Sequence, residues 1–294
     1  MKLGVFLPSY LLPGSEQRHG DQIRRFAAHA EELGFESLFI TDHLLTAHRF
    51  YRVSWTEPLM TLAHAAAVTS RIKLGTSVLV LPTHNPVVLA KEIATLQHLS
   101  GGRFIYGIGT GWYPPEFEST GGTIQQRGRR TDEVLEASMQ LLKAPQQSFE
   151  GKCICRWDGW IARPTSPPDS IAADLEEIDG ELKRQGTSRE RKGFAVAHEN
   201  FAWLTEKTKR DEVIDEQRTR MLAVVSDERP WDYIEAVYLT GTIDEVQRRI
   251  QQRIDVGVEH LFLHTMTADL SQLDLFARHL LEPFKSAVPS GASS

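Results

Sequence analysis

The sequence predicts an α/β fold, a TIM-type (β/α) barrel, and three observations carry that expectation. Short apolar runs alternate with amphipathic helical patterns through the first half of the chain. Polar and aromatic residues stand directly after each of the first four runs, at Ser9-Tyr10, Asp42-His43, Ser77-Val78 and Thr110-Gly111-Trp112. The same alternation returns at the C-terminal end. A barrel gathers all its strand ends into one mouth, whereas an open doubly wound sheet focuses polar groups at a switch point. The repeated placement favours the barrel.

Residues 2–7 form the first strand. The helix after it has Ile23, Phe26, Ala27, Ala30 and Leu33 on one face and is stopped by Gly34. Residues 37–41 give a second strand, 57–69 a helix and 72–77 a third strand. Asn85 caps a helix with Pro86 in its first turn, and that helix runs to Leu99 before Gly101 and Gly102 end it. Residues 104–109 are the fourth strand. Further on, residues 193–197 and 260–264 read as strands, and 174–192 and 206–220 as charged helices. Thr242 and Glu245 make a capping box ahead of Val246, Ile250 and Ile254. The last helix buries Leu273, Phe276, Leu280 and Phe284. Seven strands are countable at most, one of them at 152–156, so the barrel is expected to be incomplete or modified in its fifth strand–helix unit. Residues 1–288 are expected to form one domain and 289–294 a disordered tail.

The 294 residues hold 39 acids and 33 bases, a net charge of −6, with no basic cluster suited to a phosphate backbone. Nucleic acid is therefore not an expected partner. No apolar run is long enough to span a membrane. The first residues meet Pro8 too early for a signal peptide. The two cysteines, Cys153 and Cys155, read as reduced thiols of a cytoplasmic protein, and no metal site is expected.

Barrel logic puts His43 in the mouth, where an imidazole moves protons near neutral pH. Tyr10, Trp55, His84 and Trp160 are candidates for lining the same mouth, with Trp112 as a wall of the substrate pocket. His198, beside Glu199, is a second acid–base candidate. The glycines from Gly107 to Gly111 do not form a dinucleotide motif, because Trp112 occupies the third glycine's place and Pro114-Pro115 follow.

An ordered series of motifs resembles the luciferase-like monooxygenase superfamily of flavin- and deazaflavin (coenzyme F420)-dependent oxidoreductases. It comprises Gly4 to Pro8, Glu31 to His43, Thr69 to Val78, Asn85-Pro86, Leu99 to Phe104, Gly107 to Trp112 and Arg127 to Glu133, and it resumes at Asp158 to Trp160 and from Thr242 onward. The resemblance implies F420 or FMN as cofactor, with Asp42, Thr76, Ser77, Val78, Thr110 and Gly111 around it and His43 beside its ring. It also implies a cis peptide bond between Ser77 and Val78. The Gly-Trp motif is slightly closer to the deazaflavin branch. Between Phe149 and Asp158 the chain departs from the family pattern, and the Gly-Gly segment that helps hold the cofactor phosphate is absent.

Two functions follow as expectations. One is an oxidoreductase or monooxygenase acting on a small organic substrate through a bound ring. The other is a divergent barrel that has lost the cofactor and performs acid–base chemistry or ligand binding through His43 and His198. An incomplete barrel exposes strand edges, which proteins cover, so a homodimer is expected.

Overall fold

The structure, a computed structural model, describes residues 1–11, 19–47, 51, 53–143, 159–225 and 229–287. The expected strand at 152–156, both cysteines and the expected tail at 289–294 lie outside the described residues. The chain divides into two compact units. The early unit holds Ser9–Glu31 and Ser37–Arg156, and the late unit holds Met1–Pro8, Glu32–Glu36 and Trp157–Ser294.

In the early unit, the strands Ser37–Ile40, Lys73–Thr76 and Phe104–Ile105 pair in parallel in that order. The helices Pro58–Ala66 and Pro86–Leu99 follow the first two. Glu57 caps the first of these helices by accepting from Leu59 and Met60 N–H. Asn85 caps the second from Val87 and Val88 N–H, as its sequence signature requires. Phe26, Leu38, Ile40, Leu62, Leu74 and Leu89 fill the core.

Two of the motif segments have structural explanations. Glu31 accepts hydrogen bonds from the backbone N–H groups of Ser70, Arg71 and Ile72. Burial alone would raise its carboxyl, but those three donors hold it below the usual carboxylate range. Arg103 donates to the carbonyls of Ala66, Thr69, Ile72 and Ser100, tying the end of one helix to the strand that follows.

In the late unit, Lys2–Phe6, His260–His264, Ala195–Phe201 and Gly159–Ala162 form a parallel sheet in that order. These seven strands compare with eight in a complete barrel, and among the described residues Leu79–Val80 and Ile108–Gly109 add a short parallel pair. Gly159–Ala162 is a strand that hydrophobic periodicity does not reveal, because four residues before Arg163-Pro164 are too few to show one. The helix Pro168–Arg184 follows it, and its Ile171 and Leu175 pack with Ala162, Val196 and Val258. The charged stretch expected as one helix at 174–192 is split: Arg184 ends the first helix, and Arg189–Lys192 forms a separate turn. Gly186, at φ 73, provides the break.

The capping box of Thr242 and Glu245 is present in full. Three buried amides satisfy the backbone of the connecting loops. Asn200 bonds Pro164 O, Val237 O and Leu239 N, Gln217 bonds Trp203 O and both backbone groups of Gly241, and Gln272 bonds Leu204 N and O. No helix among the described residues is long and apolar enough to cross a membrane.

Candidate functional site

The early unit assembles most of the residues picked out from the sequence. Asp42 and His43 leave the end of Ser37–Ile40, and Lys73–Thr76 leads into a Ser77–Val78 peptide bond that is cis, as the family resemblance implies. Ser77 N–H donates to Ile40 O at 2.8 Å. Thr76 Oγ1 and Leu79 N–H both donate to Gly107 O, at 2.6 and 2.9 Å. The turn through Thr76, Ser77 and Val78 is therefore held from both neighbouring strands.

Asp42 Oδ2 accepts Val80 N–H and pairs with His84 Nε2, each at 2.9 Å. Burial pulls the His84 imidazole down, but the hydrogen bond and charge of Asp42 outweigh it, so the group sits above its ordinary value.

His43 Nδ1 lies 3.1 Å from Glu116 Oε1, and the same oxygen accepts Leu44 and Leu45 N–H at 2.9 and 3.1 Å. A carboxylate oxygen only accepts, so Nδ1 carries the hydrogen and Nε2 is the atom left for other work. The pair is shielded from solvent, with side-chain exposures of 6% for His43 and 3% for Glu116. The rings of Tyr51, Trp55 and Trp112 stand 5.5, 5.9 and 5.7 Å from the imidazole, and Tyr10 meets Trp55 edge to face at 6.0 Å. Burial pushes the Tyr10 phenol well above its ordinary value.

Glu116 is the residue that sequence reasoning missed. It is the third residue of the short helix Pro114–Ser119, and nothing in its local spacing announces a partner 73 residues away.

Other candidates are placed differently. Thr110 is exposed. Gly111 lies at φ 70, and a Cβ there would stand 2.5 Å from Val80 Cγ1 and 3.0 Å from the Phe117 ring, so packing within the unit accounts for this glycine. Trp160, expected in the substrate pocket, instead packs against the core of Ala162, Ile171, Leu175, Val196 and Val258 in the late unit.

His198, expected as an acid–base residue, is fully buried. Its Nε2 donates to Arg163 O at 3.0 Å, and its Nδ1 accepts from Arg253 Nε at 3.1 Å. Burial, and then the Arg253 charge, push it down to about 3. Both nitrogens are used in holding the fold. Glu199 lies on the opposite face of the strand, as alternation demands, and pairs with His264 instead.

Among the described residues no cluster of His, Cys, Asp or Glu could hold a metal ion. Among the described residues of the early unit, Ser9 Oγ, Tyr10 OH, Thr41 Oγ1, Asp42 Oδ1 and Trp55 Nε1 are buried without a hydrogen-bond partner, as are His19 Nε2 and Tyr106 OH. Such groups are costly unless something satisfies them.

Comparisons with known proteins place this arrangement in context. A family model described as luciferase-like monooxygenase matches residues 1–173. The F420-dependent glucose-6-phosphate dehydrogenase of Intrasporangium calvum is 28% identical over 86% of this chain and 91% of its own. Among solved structures, the monooxygenase RslO1 of Streptomyces bottropensis superposes with a TM-score of 0.77 at 21% identity, over 97% of this chain and 100% of its own. The oxygenating constituent of 3,6-diketocamphane monooxygenase of Pseudomonas putida, solved with FMN, gives 0.71 at 17% identity, over 98% and 99%. These structures share the α/β barrel fold with the chain. The family model covers more than half of the sequence, and the chain belongs to the luciferase-like monooxygenase family.

Proposed function

We propose that the protein is an oxidoreductase that binds a flavin or deazaflavin ring in its early unit and acts on a small organic substrate. The observation that carries this reading is His43, oriented by buried Glu116 and enclosed by Tyr51, Trp55 and Trp112. The residues present fit such a ring. The unsatisfied oxygens and nitrogen of Ser9, Tyr10, Thr41, Asp42 and Trp55 offer both donors and acceptors, the mixture that the heteroatom edge of a flavin-type ring requires. The Thr76–Val78 turn, locked by Gly107 O and Ile40 O, gives a rigid bed.

A bound ring would supply hydride or oxygen-transfer chemistry. The protein's part is binding, orientation and the exclusion of water. His43 holds Nδ1–H toward Glu116 and presents Nε2 as an acceptor, or as a donor once protonated. The Asp42–His84 link fixes the backbone that carries His43. Of the two cofactors, F420 is favoured, because the Intrasporangium relative named for it matches across 86% of the chain.

Titration of the purified protein with FMN and with F420, followed by fluorescence quenching and calorimetry, tests the reading. Micromolar or tighter binding of one is expected. Failure of both to bind overturns it.

A further inference from the structure

The late unit contains a second carboxylate–imidazole pair that the reading above does not use. His264, the last residue of its strand, brings Nε2 to 2.9 Å from Glu199 Oε1 on the neighbouring strand. Phe6, the last residue of its own strand, stacks on one face of the imidazole, with centroids 3.5 Å apart and planes 15° apart. Phe201, also a strand end, stacks on it at 4.3 Å and 11°. The side chains of His264 and Glu199 are 4% and 14% exposed. Among the described residues, no hydrogen bond is made by His264 Nδ1.

Each part of this arrangement bears on proton transfer. The carboxylate only accepts, so Nε2 carries the hydrogen and the lone pair lies on Nδ1. The imidazole lies against the Glu199 carboxylate and is stacked by two phenyl rings. Stacking on both sides fixes the ring plane, so Nδ1 points in one direction. All three aromatic residues stand at the C-terminal ends of parallel strands, the end at which barrel enzymes carry their chemistry.

We propose that His264, positioned by Glu199, is a general base for a small, uncharged, weakly acidic substrate. Glu199, beside the imidazole, disfavours an anionic substrate. In the step, the substrate's X–H bond breaks, its proton passes to Nδ1, and the bonding electron pair stays with the substrate. The proton then returns to water. No cofactor takes part, so this proposal stands or falls separately from ring binding.

Two measurements on the full chain, without added cofactor, test it. Long-range 1H–15N spectra, with His264 assigned from its loss in His264→Asn, should show hydrogen on Nε2 and none on Nδ1. Glu199→Gln should lose that preference, which checks that the Glu199 carboxylate sets the tautomer. Hydrogen on Nδ1 in the parent protein overturns the proposal.

The second measurement uses nitrobenzisoxazole, a neutral carbon acid. Its C–H bond breaks, the proton goes to the base, and the electron pair forms a nitrile as the N–O bond opens to a phenolate. The parent should exceed the buffer rate, and His264→Asn should lose at least about tenfold of the catalysed rate, the low end for a general base. Thermal unfolding confirms that the variant is folded. A parent no faster than buffer, or a folded His264→Asn variant as fast as the parent, sinks it.

Discussion

The early and late units each bury a histidine against a charged neighbour, and the two are driven in opposite directions. His84 leans on Asp42 and is raised, while His198 accepts from Arg253 and is lowered to about 3. Burial pushes both down; the hydrogen bond and charge of Asp42 outweigh it at His84, while the Arg253 charge adds to it at His198. The comparison teaches that a histidine is read by what it touches. The Asp42 carboxylate raises His84, whereas His198 serves as a neutral acceptor for a buried guanidinium.

The largest expected effect separates the two by pH. Below the unfolded value of 6.5, unfolded chains protonate His198 while folded ones do not until about pH 3. Its contribution to stability is therefore present above that window and lost as pH falls, at about 1.4 kcal/mol per pH unit. Denaturant titrations of the parent and of His198→Gln between about pH 6 and 4 should differ in slope by that amount, and equal slopes would falsify the neutral-acceptor assignment. For His84 the sign is reversed. Its contribution is complete below 6.5 and lost as pH rises through the higher folded value.

Next in size is the site itself. With a substrate in hand, His43→Ala should cut turnover at least about tenfold, and kinetics at saturating substrate will show it. Unchanged turnover removes His43 from the chemistry.

Gly111→Ala should destabilise the early unit by about 1–2 kcal/mol, because a side chain at φ 70 is strained and its Cβ meets Val80. A neutral result in thermal melts would mean that this loop can readjust. The smallest expected effect is that of His84→Ala, about 1 kcal/mol for one lost charge-assisted hydrogen bond. It should shrink as pH rises, because the neutral imidazole keeps its Nε2 hydrogen bond to Asp42 but loses its charge, which checks the sign argued above.

The two units also differ in how far their sites could be read in advance. Asp42, His43 and the cis Ser77–Val78 bond lie in ordered motifs, and the helix Pro86–Leu99 follows Asn85, where its capping signal stands. Glu116 was hidden because it meets His43 only through tertiary folding, across 73 residues. In the late unit, His198 looked like the catalytic partner of Glu199 because the two are adjacent in sequence. In a strand, adjacency puts side chains on opposite faces, so Glu199 finds His264, 65 residues on, and His198 finds Arg253. Strand alternation likewise sets Trp160, half-buried, against the core of the late unit.

What the sequence by itself determined was local: the alternation of strands and helices, the caps at Asn85 and Thr242, and the membership of the early motifs in one family's order. These depend on backbone propensity and on periodicity over a few residues, which a linear chain displays directly. Only the tertiary structure decided which carboxylate meets which imidazole. Strand register and side-chain facing set those pairings, and both are fixed by burial of the whole core, a property no short stretch of sequence carries.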